Sequence, residues 1–167
     1  MTETRILGSL RSIGDRTGTV RVEDVYDTDA AGLWGALTER ARLARWIAVV
    51  DGDLELAGIV HTTFTSGWTG PGRVDVCEPQ RRLVVTMNPG TDDETVIEAV
   101  LSAEAERTRL VVEERGIPLA EIAAHGAGWQ AHIEDLASHL AGRDAGDWAA
   151  RWAELAPHYD RLDTPLA

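Results

Sequence analysis

Between Thr19 and Arg115 the apolar residues fall mostly on every second position, and from Pro118 to Leu140 they fall on every third or fourth. A period of two belongs to half-buried strands, and a period of 3.6 to an amphipathic helix. A first strand is expected over residues 19–26, with Val20 and Val22 on one face. Asp27, Thr28 and Asp29 then offer N-caps for a short helix carrying Ala30, Leu33, Trp34 and Leu37, and a second short helix carries Leu43 and Trp46. Neither is long enough to stand alone, so both must lean on a sheet. Further strands are expected over residues 54–65, with Val60, Thr62 and Phe64 opposing Ile59, His61 and Thr63. Others follow over 73–78 (Val74, Val76), 82–88 (Leu83, Val85, Met87), 96–103 (Ile97, Ala99, Leu101) and 108–115 (Leu110, Val112, Glu114). Residues 67–72, Pro79, Pro89-Gly90 and Gly116 punctuate these runs as turns. Such even spacing predicts an antiparallel meander.

The late segment carries Ile122, Gly126, Trp129, Ile133, Leu136 and Leu140, at steps that keep one stripe on one helical face. Pro118 suits the first turn of that helix, and Gly142 stands where a glycine stop belongs. The fold class is therefore α+β, a curved antiparallel sheet covered by one long helix. With 167 residues the chain suits one domain. Residues 1–17 are expected to be a partly ordered lead-in, 18–142 the domain, and 143–167 a helical extension whose Trp148, Trp152, Leu155 and Tyr159 strap it to the outside. A sheet curling round a helix leaves a cavity between them. Its expected lining is Trp46, Val60, Thr62, Phe64, Val74, Val76, Val85, Met87, Ala99, Leu101, Leu110, Val112, Glu114, Gly126, Trp129 and Ile133.

Charge and composition then narrow the function. Net charge is −12, with 28 acidic against 16 basic residues, a surface that repels nucleic-acid phosphates and anionic lipid. Every basic residue is arginine, and without lysine a P-loop or a Schiff-base mechanism is excluded. The single cysteine, Cys77, rules out an internal disulfide and a CxxC site, and it reads as an inert thiol in a strand. No apolar run approaches a membrane span and no signal-peptide core is present, so a cytoplasmic protein is expected. No phosphate-cradling loop, GxSxG elbow or HExxH pair occurs, and neither a cofactor nor a metal is expected.

Glu114 is the one catalytic candidate. If the parity of Leu110 and Val112 persists, its carboxylate faces an apolar pocket, where burial would raise its pKa and suit it to acid–base work. Thr62 is a second polar anchor, with neighbouring His61 pointing the other way; Asp24 faces inward by alternation but sits at a strand end, where capping suits it better. His125, His132 and His139 recur every seven residues, about 10.5 Å apart along a helix, too far for two to share a metal. They read as a solvated flank, with His125 paired to Glu121 and His139 to Asp135.

Several segments carry a resemblance. Val25-Tyr26 with Gly32-Leu33-Trp34-Gly35-Ala36-Leu37-Thr38, followed by Leu43-Ala44-Arg45-Trp46, resembles the opening helices of the Bet v 1-like, START-related (SRPBCC) superfamily. Asp53-Leu54 with Gly58, Gly72 to Pro79, Arg82-Leu83-Val84, Thr108-Arg109-Leu110 and Gly128-Trp129 to Leu140 follow in the order of its activator of Hsp90 ATPase homologue 1-like branch. The resemblance spans roughly residues 18–142 and implies a helix-grip fold with a cavity between sheet and C-terminal helix. It implies a small hydrophobic molecule as ligand; a chaperone ATPase partner in stress response and a cyclase, dehydratase or hydrolase activity are the alternatives. The family's aromatic after the tryptophan is replaced here by Ile47-Ala48-Val49-Val50, and no family catalytic motif is present. A sheet edge or the Trp148/Trp152 face would serve for homodimerisation.

Overall fold

The computed structural model describes residues 4–167. Eight antiparallel strands form one sheet in the order β1-β2-β8-β7-β6-β5-β4-β3. In chain order they are β1 (Gly8–Ile13), β2 (Thr17–Tyr26), β3 (Ala48–Gly52), β4 (Ile59–Phe64), β5 (Thr69–Glu78), β6 (Arg82–Met87), β7 (Thr95–Glu104) and β8 (Arg107–Pro118). Between β2 and β3 lie α1 (Ala30–Thr38) and α2 (Arg40–Trp46). The long helix α3 (Ile122–Leu140) crosses the concave face, and α4 (Trp148–Asp160) packs over α3 from the other side.

Alternation sets the inner face as expected. Val20 and Val22 are completely buried, and Val85, Ile97 and Glu114 stand opposite one another across β6, β7 and β8. Asp29 caps α1, its carboxylate accepting the Gly32 N–H at 2.8 Å. Asp24 pairs with Leu110 across β2 and β8, and its carboxylate accepts the N–H of Val25. α3 ends as its sequence predicts. Gly142 adopts φ +74°, the Arg143 N–H returns to the Ser138 carbonyl at 2.8 Å, and the Gly142 N–H returns to that of His139 at 3.0 Å. These are the two bonds of a Schellman stop.

Other elements depart from the pattern. The expected lead-in contains strand β1, with Leu10 buried against the core, while its residues 1–3 lie outside the described residues. Ala48–Gly52, a segment with no element expected from the sequence, is edge strand β3. The run expected over 54–65 is strand only from Ile59, because residues 53–58 turn through Ala57 at φ 65°. Gly70, Pro71 and Gly72, read as a turn, are strand residues paired with Thr62, His61 and Val60. Their glycines are steric. A Cβ on Gly70 would lie 2.6 Å from the Trp68 ring, and one on Gly72 3.2 Å from both Met87 and Val85. Pro118 closes β8 opposite Thr17 rather than opening the helix, and a single 3-10 turn, Leu119–Glu121, intervenes.

The helix α3 also differs from a half-exposed amphipathic rod. From Gly126 to Ile133 every residue is buried, since the sheet covers one face and α4 another. Close approach depends on two glycines. A Cβ on Gly126 would meet the Tyr159 ring at 2.5 Å, and one on Gly128 would meet Trp148 at 3.1 Å. Tyr159 Oη donates to Gln130 Oε1 at 2.7 Å, Trp148 and Trp152 donate their indole N–H groups to the Gly128 and Ala124 carbonyls, and Arg151 forks onto Glu134. Asp135 accepts the Gly146 N–H rather than pairing with His139.

Candidate functional site

The core fills one end of the space between sheet and helix and leaves the other open. Leu33, Leu37, Trp46, Leu101, Leu110 and Leu136 close the end nearest α1 and α2 in one buried cluster. At the opposite end, where β8 leaves the sheet and α3 begins, lies a cavity of about 630 Å³. That volume matches a small organic ligand. Phe64 and Trp68 border it from the β4–β5 hairpin, Met87 and Asn88 from the end of β6, and Asp92 and Asp93 from the following loop. Thr95 and Ile97 of β7, and Glu114, Gly116 and Pro118 of β8, form its floor; Glu121, Ala124, His125, Gly128, Trp129 and His132 of α3, with Trp148 of α4, form its roof.

Four of the expected lining residues border this cavity: Phe64, Met87, Glu114 and Trp129. Val60, Thr62, Val74, Ala99, Leu101, Leu110, Val112, Ile133 and Trp46 are buried core, and Val85 is a half-buried neighbour of that core on the same sheet face. Thr62 spends its hydroxyl on the Gly70 carbonyl, and the Trp46 indole binds the Ala36 carbonyl. Gly126 lies under Tyr159 and Leu10 rather than against a void. Val76 faces the other side of the sheet. A β-bulge at Asp75 shifts the register, so Val74 pairs with Val85 but Val76 pairs with Val84.

Glu114 is nearly fully buried and does face the cavity, yet its chemistry is the reverse of the expected one. Its carboxylate accepts the Trp129 indole N–H at 2.6 Å and lies 3.1 Å from His125 Nδ1, with the Thr95 hydroxyl as a further donor. Burial pushes the carboxyl up, but His125, Trp129 and Thr95 together outweigh it and hold the group below its ordinary range. Glu114 is therefore an ionised acceptor, not a stored proton. His125 responds in the opposite sense. Burial lowers its pKa, but the Glu114 carboxylate and, more weakly, Glu121 raise it above the usual histidine value.

His132, expected on a solvated flank, is 5% exposed and packed among aromatic rings. Its ring centroid lies 6.0 Å from Phe64, 5.8 Å from Trp129 and 5.4 Å from Trp148. Phe64 in turn meets Trp68 edge-on at 5.5 Å. Burial drives the His132 pKa down to about 4, so the ring is neutral near pH 7, and its Nδ1 has no hydrogen-bond partner among the described residues. His139, the third of the series, accepts from Arg42 Nε at 3.1 Å, away from the cavity. Trp68, His132 and Trp148 are the aromatic lining residues that sequence periodicity missed. Trp68 hides in a glycine-rich turn, and the other two meet only because α4 folds back over α3. Among the described residues no three His, Cys, Asp or Glu side chains converge as a metal site, and no helix is long and apolar enough to cross a membrane.

A curved antiparallel sheet wrapped on a long C-terminal helix, with two short helices after the early strands, defines the helix-grip, Bet v 1/START-like class. Within it, the family model of activator of Hsp90 ATPase homolog 1-like proteins matches residues 27–141, and the chain belongs to that family. No curated protein matches in sequence. Among solved structures, the crystal structure of CalU16 from Micromonospora echinospora superposes with a TM-score of 0.76 at 21% identity, over 93% of this chain and 96% of that one. DynU16, a protein of the dynemicin biosynthetic locus, gives 0.70 at 28% identity over 77% of this chain, which spans about half of DynU16 (50%). A protein from Bordetella parapertussis gives 0.72 at 18% identity over 98% of this chain and 96% of that one.

Proposed function

We propose that this protein binds a small, largely apolar molecule in the cavity between the start of α3 and the sheet end. The observation that supports this most is the aromatic wall of Phe64, Trp68, Trp129, His132 and Trp148 around a space of about 630 Å³, while the core fills the other end of the interval between sheet and α3. Aromatic walls with a few fixed polar groups are the usual makeup of small-ligand sites. Glu114 acts there as a fixed acceptor. Because it is held ionised, it is not a general acid at neutral pH.

The test is titration with the neutral, environment-sensitive dye N-phenyl-1-naphthylamine. The expected result is saturable fluorescence enhancement with the native protein and its loss in Ala124→Trp, where an exposed α3 residue on the rim would carry a bulky ring into the opening. Absence of enhancement in the native protein, or undiminished enhancement in a folded Ala124→Trp variant, would contradict the reading.

A further inference from the structure

The charge distribution around the cavity says more about the ligand than its volume does. Four carboxylates border it: Glu114 on the floor, Asp92 and Asp93 on the β6–β7 loop, and Glu121 at the start of α3. None of the described lining residues is an arginine, although the chain carries 16 of them. On the outer sheet face, by contrast, carboxylates are answered by arginines. Glu98 meets Arg82 at 2.5 Å and Arg115 at 3.0 Å, and Glu113 lies within 4.0 Å of Arg11, Arg21 and Arg115. Opposite the three rim carboxylates, Asp92, Asp93 and Glu121, stands the aromatic wall, whose ring faces carry partial negative charge and attract cations at about 6 Å or less from a ring centroid.

Resting on the proposed binding role of this cavity, we infer that its ligand is a cation: an apolar, aromatic-sized molecule bearing a protonated amine or quaternary ammonium group. The apolar body stacks against Trp129 and His132, and the ammonium sits between Trp68 and the rim carboxylates. His132 fits that assignment. Buried among three aromatic rings and neutral near pH 7, it adds a ring to the lining without adding a repelling charge. His125, the remaining ionisable group on the roof, is already matched by Glu114. Asp92, Asp93 and Glu121 are exposed and lack arginine partners among the described residues, so their negative charge faces the opening.

The decisive experiment compares three naphthalenes of nearly equal size by isothermal titration calorimetry at pH 7: 1-naphthylmethylammonium, 1-naphthalenemethanol and 1-naphthoate. The ammonium is expected to bind about tenfold more tightly than the alcohol, from ring and carboxylate attraction combined, and the carboxylate most weakly. Asp92→Asn/Asp93→Asn/Glu121→Gln should bring the ammonium's affinity down close to that of the alcohol. Since a protein of net charge −12 attracts any cation, a control removes the same formal charge elsewhere. Asp15→Asn/Asp51→Asn/Asp160→Asn, at three exposed positions outside the cavity, should retain the preference. An alcohol that binds as tightly as the ammonium, or a preference lost equally in the control, overturns the cation assignment and leaves the binding role standing. Failure of all three compounds to bind overturns both.

Discussion

Glu114 and His132 each carry a pH signature that follows from what surrounds them. His132 titrates near 6.5 in an unfolded chain and near 4 in the folded one. Its contribution to stability is whole above pH 6.5 and is lost as pH falls toward 4, a loss on the order of 3 kcal/mol from a gap of that size. Removing the imidazole should remove that slope. His132→Phe is therefore expected to flatten the fall in unfolding free energy between pH 6.5 and 4, measured by denaturant titration across that range; an unchanged slope would place the burden on other groups. Glu114 shares that sign, and His125 carries the opposite one. Glu114, held low, contributes stability that is present above its unfolded value of about 4.5 and lost as pH falls through its lower folded value. His125, held high, contributes stability that is whole below 6.5 and lost as pH rises through its folded value. Glu114→Gln should consequently lower the His125 pKa, readable in the NMR titration of its ring protons. A His125 midpoint that stays in place would mean the 3.1 Å pair does not form in solution.

At the scale of elements, the tightest joint is between α3 and α4. Gly126→Ala would put a methyl group 2.5 Å from the Tyr159 ring, which is completely buried and cannot swing into solvent. Overpacking of that kind costs about 1–3 kcal/mol, so the denaturation midpoint should fall, and fall further than for Gly128→Ala, where the contact is 3.1 Å. Equal midpoints for the two variants would contradict the docking of α4 described above. The elements most legible in the sequence were those with strict periodicity. The inward sets of β6, β7 and β8, the α1 cap at Asp29 and the Gly142 stop all follow from local spacing and local hydrogen bonds. What local spacing could not carry was any feature decided by a distant partner. Gly70-Pro71-Gly72 reads as a turn in isolation and becomes strand because its small residues make room for Trp68 and Met87. Val76 is displaced by one extra residue, Asp75, held by Arg73 and Thr86.

For the molecule as a whole, three layers matter: sheet, α3 and α4. Pattern alone supplied the sheet, α3 and the stripe that joins them, and expected an outer helix without showing which residues it would bring together, and so placed a cavity along the length of α3. Packing density decides otherwise, because leucines and Trp46 fill the end near α1 and α2, and the free volume collects where β8 and α3 diverge. The aromatic wall needed the third layer, since His132 and Trp148 become neighbours only when α4 returns over α3. This leaves the six tryptophans divided in a way that a single spectrum can read. Trp68, Trp129 and Trp148 border the cavity, whereas Trp46 is sealed in the core with its indole bound to the Ala36 carbonyl. The most direct measurement is an indole N–H correlation spectrum recorded during titration with 1-naphthylmethylammonium. Progressive shifts are expected at Trp68, Trp129 and Trp148 with Trp34 and Trp46 unmoved; shifts led by Trp46, or none at saturating ligand, would refute binding in this cavity.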